Sequence, residues 1–251
     1  MSIRTKLAQF TTCDISDALV NFGVKNGGFV PNLIQRSSDG RAKEKGHSSV
    51  AGPAYTVLYA PKSDPRPAIS KSYIDEIPQD SVLVMSLTEN QQLTTAPFVT
   101  VNNALYGGLM STRAKYRGAA GSVILGRIRD LAEHRDLEYP VWSYGSGTAP
   151  PASVVKVVGI NVPLSVKIGG LDCTDGEINS MSILPGDLIV ADENGVVRIP
   201  IGHSSGPEAS IDMEKMLEYI PRRVDADTHV SEDIKNGRGA QEAQEDWRGR
   251  I

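Results

Sequence analysis

The sequence predicts an α/β fold assembled from many short elements. Two short apolar runs, residues 81–86 and 122–126, have the composition of strands buried in the middle of a sheet. Between them, residues 104–116 carry apolar side chains at partly helical spacing, so a helix, a turn and a strand follow one another. Glycine is frequent, at 24 residues, and aromatic residues make up only 6%, which favours short elements joined by tight turns over a bundle of long helices.

The first sixty residues predict two helices and a strand. One helix is expected over residues 2–9, and a second begins near Asp14 with Asp14 or Ser16 as its N-cap and stops at Gly23. Residues 37–48 are polar, charged and broken by glycine, so we expect an exposed loop there. Residues 49–59 have the composition of a strand.

The second half of the chain is rich in predicted strands. They fall at residues 154–158, 162–168, 183, 188–191 and 196–199, and Asn194-Gly195 predicts a hairpin turn between the last two. Residues 208–219 return to helical spacing, and Pro221 is expected to interrupt that helix. The charged residues 225–251 predict a tail that lies on the surface or is partly disordered.

Charge and cysteine content exclude several classes of protein. With 26 Lys and Arg against 30 Asp and Glu, the net charge of −4 supplies no basic field for nucleic acid. Cys13 and Cys173 are the two cysteines, which excludes a disulfide-rich scaffold and a cysteine-rich zinc site and fits a reducing compartment. No apolar run approaches the ~20 residues that span a bilayer. We therefore expect a soluble, cytoplasmic protein without nucleic-acid or membrane partners.

Residues 127–130, Arg-Ile-Arg-Asp, are the strongest candidate for chemistry. They follow the predicted strand 123–125, and ligand-binding residues of α/β proteins concentrate where strands end. Asp130 offers a carboxylate suited to Mg²⁺, and Arg129 offers a guanidinium suited to an oxyanion or a carboxylate. The alternative is a surface ion pair in a charged segment, which composition alone favours.

A second candidate is the glycine pair Gly107-Gly108, which opens the predicted helix together with Leu109 and Met110. Glycines let the backbone approach a ligand, and free N–H groups at a helix start attract an anion. The alternative is a turn that needs positive φ. The four histidines show no metal-binding spacing and are expected to be structural or exposed.

An ordered set of motifs resembles the RraA-like family, in its fungal branch. The motifs are residues 12–19 (TCDISDAL), 107–110 (GGLM), 118–121 (GAAG), 127–130 (RIRD) and 185–196 (PGDLIVADENGV), and the resemblance covers roughly residues 10–220. The family contains 4-hydroxy-4-methyl-2-oxoglutarate aldolases with oxaloacetate decarboxylase activity, and also bacterial inhibitors of a ribonuclease. The resemblance implies a compact β/β/α swivelling-type sandwich with a C-terminal helix. The domain would span residues 1–224, and residues 225–251 would form the charged tail.

The resemblance also implies a site in a cleft between subunits of a homotrimer or a dimer of trimers. Asp130 matches the aspartate that binds Mg²⁺ or another divalent cation such as Mn²⁺. Arg129 matches the arginine that contacts the 2-keto acid substrate. Gly108, Leu109 and Met110 match the substrate-binding turn, in which the backbone N–H groups of Leu109 and Met110 hold the pyruvyl carboxylate. Arg129 and Asp130 are thus the expected catalytic pair.

The sequence departs from the aldolase pattern at three places. Gly108 stands where the aldolases carry an acidic residue, Leu125 stands where they usually have aspartate, and residues 169–182 lengthen a loop.

The function that the resemblance implies is a metal-dependent carbon–carbon lyase that acts on a 2-keto acid through an enolate. The missing acid favours decarboxylation over retro-aldol cleavage, because decarboxylation needs no base for a hydroxyl proton. The alternatives are a non-catalytic binding or regulatory protein and a specialised fungal lyase with a non-pyruvyl substrate.

Overall fold

Seven helices and twelve strands make up the described part of the chain, which is residues 1–40, 49–169, 179–201 and 211–251 of a computed structural model. The helices are α1 (Ile3–Leu7), α2 (Thr12–Asn21), α3 (Tyr73–Glu76), α4 (Gly108–Tyr116), α5 (Leu131–Asp136), α6 (Met213–Lys235) and α7 (Ala240–Arg248). The strands are β1 (Phe29–Val30), β2 (Ile34–Ser37), β3 (Val50–Pro61), β4 (Val82–Leu87), β5 (Ala104–Tyr106), β6 (Gly121–Ile128), β7 (Val141–Ser146), β8 (Val155–Ile160), β9 (Leu164–Ile168), β10 (Asn179–Ile183), β11 (Leu188–Asp192) and β12 (Gly195–Ile199).

Ten of these strands form one mixed sheet in the order β1-β12-β11-β3-β4-β6-β7-β2. Strand β5 pairs with the end of β6, and β8 pairs with β3. The neighbours β3, β4, β6 and β7 run parallel, as do β5 and β6, whereas the remaining pairs are antiparallel. Strands β9 and β10 form a separate antiparallel hairpin. The carboxyl ends of the parallel strands therefore meet at one edge.

The two predicted central strands are confirmed as β4 and β6, because both faces of these parallel strands are buried. On one face, Leu83, Met85 and Ile124 pack with residues of α3 and α4. On the other face, Val84 and Val123 pack against the β9–β10 hairpin. Helices thus cover one face and a hairpin the other, and the predicted α/β sandwich is confirmed.

The predicted helix over residues 104–116 is divided in the structure. Its first three residues form β5, whose Ala104 and Tyr106 pair with Arg127 and Ile128 at the end of β6. The helix itself, α4, begins at Gly108. The periodicity did not separate these elements because a three-residue strand is too short to show alternation.

The predicted N-cap of the second helix was wrong. Helix α2 begins at Thr12, and its N-cap is Thr11. The Thr11 hydroxyl accepts a hydrogen bond from the Asp14 N–H at 3.2 Å, and the Thr11 N–H donates to the Asp14 carboxylate at 2.9 Å. Asp14 is therefore the third helical residue of a capping box rather than the cap.

Helices α1, α2 and α6 form a third apolar cluster over strands β11 and β12. Leu19, Val190, Val197, Met216 and Ile220 are among its buried members. The predicted hairpin turn over residues 192–195 is confirmed, since Asp192 pairs with Gly195 where β11 meets β12. The expected positive φ is present at Gly195 but not at Asn194.

The expectation that Pro221 interrupts the helix was wrong, and of the two alternatives for residues 225–251, a surface segment or partial disorder, the structure excludes disorder. Helix α6 continues through Pro221 to Lys235, and α7 packs back against it with Ala243 fully buried. The charges of this segment are spaced so that opposite signs pair, as in Arg223–Asp227 and Arg238–Glu242, each four residues apart. Such pairs support a helix that the composition alone does not indicate.

Some predicted features lie wholly or partly outside the described residues. They include most of the expected loop 37–48, the loop extension 169–182 up to residue 178, and the start of the helix expected at residue 208. Residues 179–182, assigned to the loop extension, form strand β10 together with Ile183, which was predicted to be strand. Within the described ranges, no helix combines the length and the apolar content needed to cross a membrane.

Candidate active site

The two candidate motifs meet at the carboxyl edge of the parallel strands. Gly107 and Gly108 follow β5, and Arg129 and Asp130 follow β6, which runs beside it in the same direction. The Gly108 N–H donates a hydrogen bond to Asp130 Oδ2 at 3.1 Å. Open α/β sheets bind ligands at this edge. The structure thus brings together two motifs that stand about twenty residues apart in the chain.

Asp130 holds an unusual backbone conformation. Its φ is +61° and its ψ is +45°, the left-handed region that aspartate tolerates better than most residues, and it is the N-cap of α5. Both of its observed contacts are made by Oδ2, which accepts from Gly108 and lies 3.4 Å from Arg129 Nε. Oδ1 makes no hydrogen bond or ion pair with the described residues, so one carboxylate oxygen remains available to a ligand.

The backbone of Arg129 is fixed on both sides. Its N–H donates to the Tyr106 carbonyl at 3.0 Å, and its carbonyl accepts from His134 Nε2 at 2.8 Å. The side chain is 37% exposed. A guanidinium on a fixed backbone is preorganised to receive an anion.

His134 is buried and ties α4 and α5 to this site. A carbonyl only accepts, so the proton of the neutral ring is on Nε2, facing Arg129. Nδ1 lies 2.9 Å from the Ser111 hydroxyl, and the ring stacks on Tyr106 at 5.8 Å between centroids. Burial lowers the pKa of His134 below its ordinary value, against the opposing effect of the Arg129 carbonyl. His134 therefore has the structural position that its lack of ligand spacing predicts.

Gly108 leaves room for a carboxylate from another element. A Cβ at Gly108 would lie 1.9 Å from Glu133 Oε2 and 2.7 Å from Glu133 Cβ. Glu133, in the first turn of α5, thus occupies the space beside the residue at which the aldolase acid is missing. Glu133 was not among the site residues predicted from the sequence. The available signal was its position three residues after Asp130, which places both on one side of a helical turn.

The turn Gly107–Met110 offers fewer free donors than predicted. The Met110 N–H donates to the Gly107 carbonyl at 3.0 Å, and the Gly108 N–H is taken by Asp130. The first turn of α4 thus engages the Met110 N–H, and the carboxylate contact expected of it stays a prediction. The Leu109 N–H makes no hydrogen bond with the described residues and remains the donor at this helix start.

A cavity of about 290 Å³ opens beside these residues. Of the predicted site, Arg129, Asp130, Leu109 and Met110 line it, whereas Gly108 contributes only through its hydrogen bond to Asp130. The remaining lining residues are Tyr59, Tyr73, Ala104, Leu105, Tyr106, Gly107 and Pro151. The two tyrosines Tyr59 and Tyr73 come from β3 and α3, far away in the chain, and no local pattern in the sequence points to them.

The donor set suits Mg²⁺ better than a metal that needs several protein ligands. The described residues hold no group of three or more His, Cys, Asp or Glu side chains arranged around a common point. Mg²⁺ keeps several of its waters and needs only one or two carboxylates. Asp130, with one oxygen oriented by Gly108 and the other available, meets that need.

A second cavity, of about 330 Å³, lies near strand β2 and is lined in part by Arg36 and Arg135. Arg36 donates to the carbonyls of Ser143 and Tyr144, and Arg135 donates to the carbonyl of Arg36. These arginines hold β2 against β7 and the end of α5. The cavity beside Asp130 is therefore the better candidate for chemistry.

The fold and this site define an α/β protein with an Arg-Asp pair at the carboxyl edge of its parallel strands. Residues 12–198 match the model of the family described as RraA-like: Aldolase/RraA. The chain belongs to the RraA-like family.

Curated relatives of this chain include named aldolases. Protein DlpA of Legionella pneumophila is 30% identical over 197 residues, which are 78% of this chain and 27% of DlpA. A putative 4-hydroxy-4-methyl-2-oxoglutarate aldolase of Halalkalibacterium halodurans is 31% identical over 156 residues, 62% of each protein. A Thermus thermophilus protein named 4-hydroxy-4-methyl-2-oxoglutarate aldolase is 29% identical over 127 residues, 49% of this chain and 69% of that protein. The chain thus spans less than two thirds of the first two.

Solved structures share the fold. An uncharacterised protein from Pseudomonas syringae has a TM-score of 0.69 and 23% identity, with 96% of each chain covered. Streptomyces coelicolor RraAS2, described as an unusual member of the RNase ES inhibitor RraA protein family, has a TM-score of 0.61 and 20% identity, with 94% of this chain and 96% of that chain covered.

Proposed function

We propose that this protein is a divalent-metal-dependent carbon–carbon lyase that acts on a 2-keto acid through an enolate. The observation that carries the proposal is the Arg129–Asp130 pair, joined to the start of α4 by the Gly108–Asp130 hydrogen bond and open to a cavity. Relatives named as aldolases support the reaction class.

Substrate binding would use the two positive groups of the site. The Arg129 guanidinium would grip the carboxylate of the keto acid and the adjacent oxygen that becomes the enolate. The Leu109 N–H, at the positive end of α4, would donate to the same carboxylate. Both groups stand on fixed backbone and need little reorganisation when charge develops.

Asp130 would hold the divalent cation, Mg²⁺ or Mn²⁺, through its available oxygen. When bound, the cation supplies Lewis-acid stabilisation of negative charge on oxygen. Arg129 and the Gly108 N–H keep the Asp130 carboxylate oriented for that task.

Glu133 would serve as the base that retro-aldol cleavage needs and decarboxylation does not. Retro-aldol cleavage needs a base for the hydroxyl proton, and the sequence offers no acid at position 108. The Glu133 carboxylate lies against Gly108 and is exposed, so it would take that proton. This assignment leaves both decarboxylation and aldol cleavage open to the site.

A homotrimer or a dimer of trimers would complete the cleft. Leu109 lines the cavity and is nevertheless 72% exposed. A second copy placed over this rim would exclude water from the reacting atoms, which strengthens electrostatic stabilisation.

The test is pyruvate release from oxaloacetate and from 4-hydroxy-4-methyl-2-oxoglutarate, with Mg²⁺ and with a chelator. Asp130→Ala and Arg129→Lys should each lower turnover about a hundredfold or more, because each removes a preorganised charged group. Asp136→Ala, at the exposed end of α5, is the matched control and should retain the wild-type rate. The spontaneous decay of oxaloacetate with free Mg²⁺ is subtracted.

Thermal stability provides a second readout. A cation that binds the native state raises the melting temperature, so Mg²⁺ should stabilise the wild type and Asp136→Ala but not Asp130→Ala. No turnover above background together with no Mg²⁺ effect would instead indicate a non-catalytic binding protein.

A further inference from the structure

The cavity beside Arg129 is lined by two chemically different kinds of residue. Arg129 and Asp130 are charged. The aromatic and aliphatic lining residues are Tyr59, Tyr73, Tyr106, Leu105, Met110 and Pro151. Such a cavity matches a ligand that is charged at one end and apolar at the other.

The three tyrosines that line this cavity carry no charge. Tyr106 is buried, and its hydroxyl lies 3.2 Å from Ser111 Oγ and 3.1 Å from Ser122 Oγ, within a hydrogen-bonded group behind the wall. Tyr59 and Tyr73 meet edge to face, with ring centroids 6.4 Å apart. Burial raises the pKa of Tyr106 to about 12 and raises the pKa of Tyr59 and of Tyr73 as well, so all three remain neutral near pH 7.

The positive charges at the cavity lie together. Among the described residues that line it, Arg129 is the single cationic side chain, and Asp130, which would hold the divalent cation, lies 3.4 Å from it. A ligand with a second carboxylate remote from Arg129 and Asp130 would place that charge against lining residues that carry no positive charge. A buried charge without a partner is strongly unfavourable, whereas a ring or a branched alkyl group there gains from leaving water.

We propose that this site selects a 2-keto acid with a single carboxylate and an apolar group, aryl or branched alkyl, on the part that cleavage releases. The inference rests on the proposed lyase function and deepens it by naming the substrate class. The carboxylate lies at Arg129, and the apolar group lies between Tyr59, Tyr73 and Met110. The cavity volume of about 290 Å³ is at the lower end of the range for small-molecule sites, which suits a ligand with one ring.

The reaction balances for a representative of this class, 4-hydroxy-2-oxo-4-phenylbutanoate. The C4 hydroxyl loses its proton to Glu133 and becomes the carbonyl of benzaldehyde as the C3–C4 bond breaks. The bonding electrons move to C3 and form the enolate of pyruvate, which takes up one proton at C3. One proton is released and one is taken up, and no oxidant or reductant takes part.

Binding of two ligands without a 4-hydroxyl tests the preference independently of aldol cleavage. Phenylpyruvate has one carboxylate and a phenyl ring, and 2-oxoglutarate has two carboxylates. Isothermal titration of the full chain with Mg²⁺ present should give at least tenfold tighter binding of phenylpyruvate. Equal or tighter binding of 2-oxoglutarate, or no binding of phenylpyruvate, would overturn the inference.

A lysine placed in the apolar wall should move the preference toward the dicarboxylate. Met110→Lys and Pro151→Lys should each shift the ratio of the two affinities by about tenfold or more toward 2-oxoglutarate. Pro151 is half-buried and opens a short turn, so that variant keeps the test valid if Met110→Lys does not fold. Asp136→Lys, at the exposed end of α5 and outside the cavity lining, is the control and should leave the ratio unchanged.

Turnover separates this inference from the proposed function. The kcat/KM for 4-hydroxy-2-oxo-4-phenylbutanoate should exceed that for 4-hydroxy-2-oxoglutarate at least tenfold. Preferential cleavage of the dicarboxylate would overturn the substrate class and leave the lyase function standing. Tighter binding of phenylpyruvate without cleavage of any substrate would overturn the lyase function and support the selectivity of the cavity.

Discussion

Gly108 and Glu133 lie in close contact at the start of α4. A side chain at position 108 would overlap both the carboxylate and the Cβ of Glu133, and a Cβ at Gly107 would lie 2.7 Å from Asp130 Oδ2. The glycine pair is therefore required by close approach, in addition to forming the turn into α4. By its sequence, Gly108 stands where the resembling aldolases carry an acid. The structure shows that another carboxylate lies in the adjoining space.

Gly108→Ala should lower the free energy of unfolding by about 1–3 kcal/mol, the usual cost of forcing atoms into a packed site. Glu133→Ala in the same chain removes the overlapping carboxylate and should recover part of that loss. A double-mutant cycle by urea denaturation measures the coupling. If the two substitutions change the free energy of unfolding additively, the contact between residues 108 and 133 is contradicted.

The buried ring of His134 should make stability depend on pH. Burial lowers its pKa below the ordinary value of 6.5, although Asp130 and Glu133 act in the opposite direction. The unfolded chain therefore binds this proton at a higher pH than the folded chain. The resulting stability is fully present above the ordinary value and is lost as the pH falls from there toward the lowered pKa.

His134→Gln should flatten this part of the profile, because glutamine keeps a donor for the Arg129 carbonyl but does not titrate. Urea denaturation at pH values from 5 to 8 measures the difference between the two proteins. Between pH 5 and 8, the difference between the two proteins in the free energy of unfolding should change by at most about 1.4 kcal/mol per pH unit. Identical profiles for wild type and variant would show that folding is not linked to His134.

At the scale of elements, helix α6 packs against the body of the fold with its first half and against α7 with its second half. Its first half supplies Met216 and Ile220 to the cluster over β11 and β12, and the contacts of that cluster extend to Val224. Its second half pairs with α7 through Trp247 Nε1, which donates to Asp233 at 2.8 Å, and through Arg248. The division proposed at residue 225 thus falls inside a helix, at the end of its contacts with the body.

Truncation after Val224 should leave a folded protein with a melting temperature only a few degrees lower. Truncation after Asp212 removes Met216 and Ile220 and should unfold the chain, because each buried aliphatic side chain contributes about 2–5 kcal/mol. Circular dichroism melts of both truncated proteins provide the comparison. Aggregation of the longer one would show that α7 and the end of α6 are needed for folding.

At the scale of the whole molecule, the exposed apolar residues of α4 favour self-association. Leu109 is 72% and Tyr116 is 79% exposed, and their spacing of seven places them on one side of the helix. Exposed apolar side chains on one side of a helix, with Leu109 also lining the cavity, are typical of an interaction surface.

Sedimentation velocity at micromolar concentration should show a trimer or a larger ring. Leu109→Glu combined with Tyr116→Glu should shift the protein toward the monomer, because charges would be buried at the interface. Ile234→Glu, at an exposed apolar position near the end of α6, is the control and should leave the assembly unchanged. A stable wild-type monomer would contradict both the assembly and a site between subunits.

The sequence by itself determined the features that depend on local pattern. The apolar runs determined β4 and β6 because a parallel strand buries both faces and needs apolar residues throughout. The turn residues 192–195 determined the hairpin between β11 and β12, in which Gly195 takes the positive φ that glycine tolerates. The order of motifs determined the family, and the end of a buried strand identified Arg129 and Asp130 as candidates.

The tertiary structure decided what depends on residues far apart in the chain. It brought Asp130 to the Gly108 N–H, since the parallel pairing of β5 with β6 aligns their carboxyl ends. It placed Tyr59 and Tyr73 beside Arg129, because β3, α3 and β6 meet through packing that no periodicity records. It also gave helical structure to residues 225–248, because side chains such as Trp247 pack against α6 only when the two helices fold together.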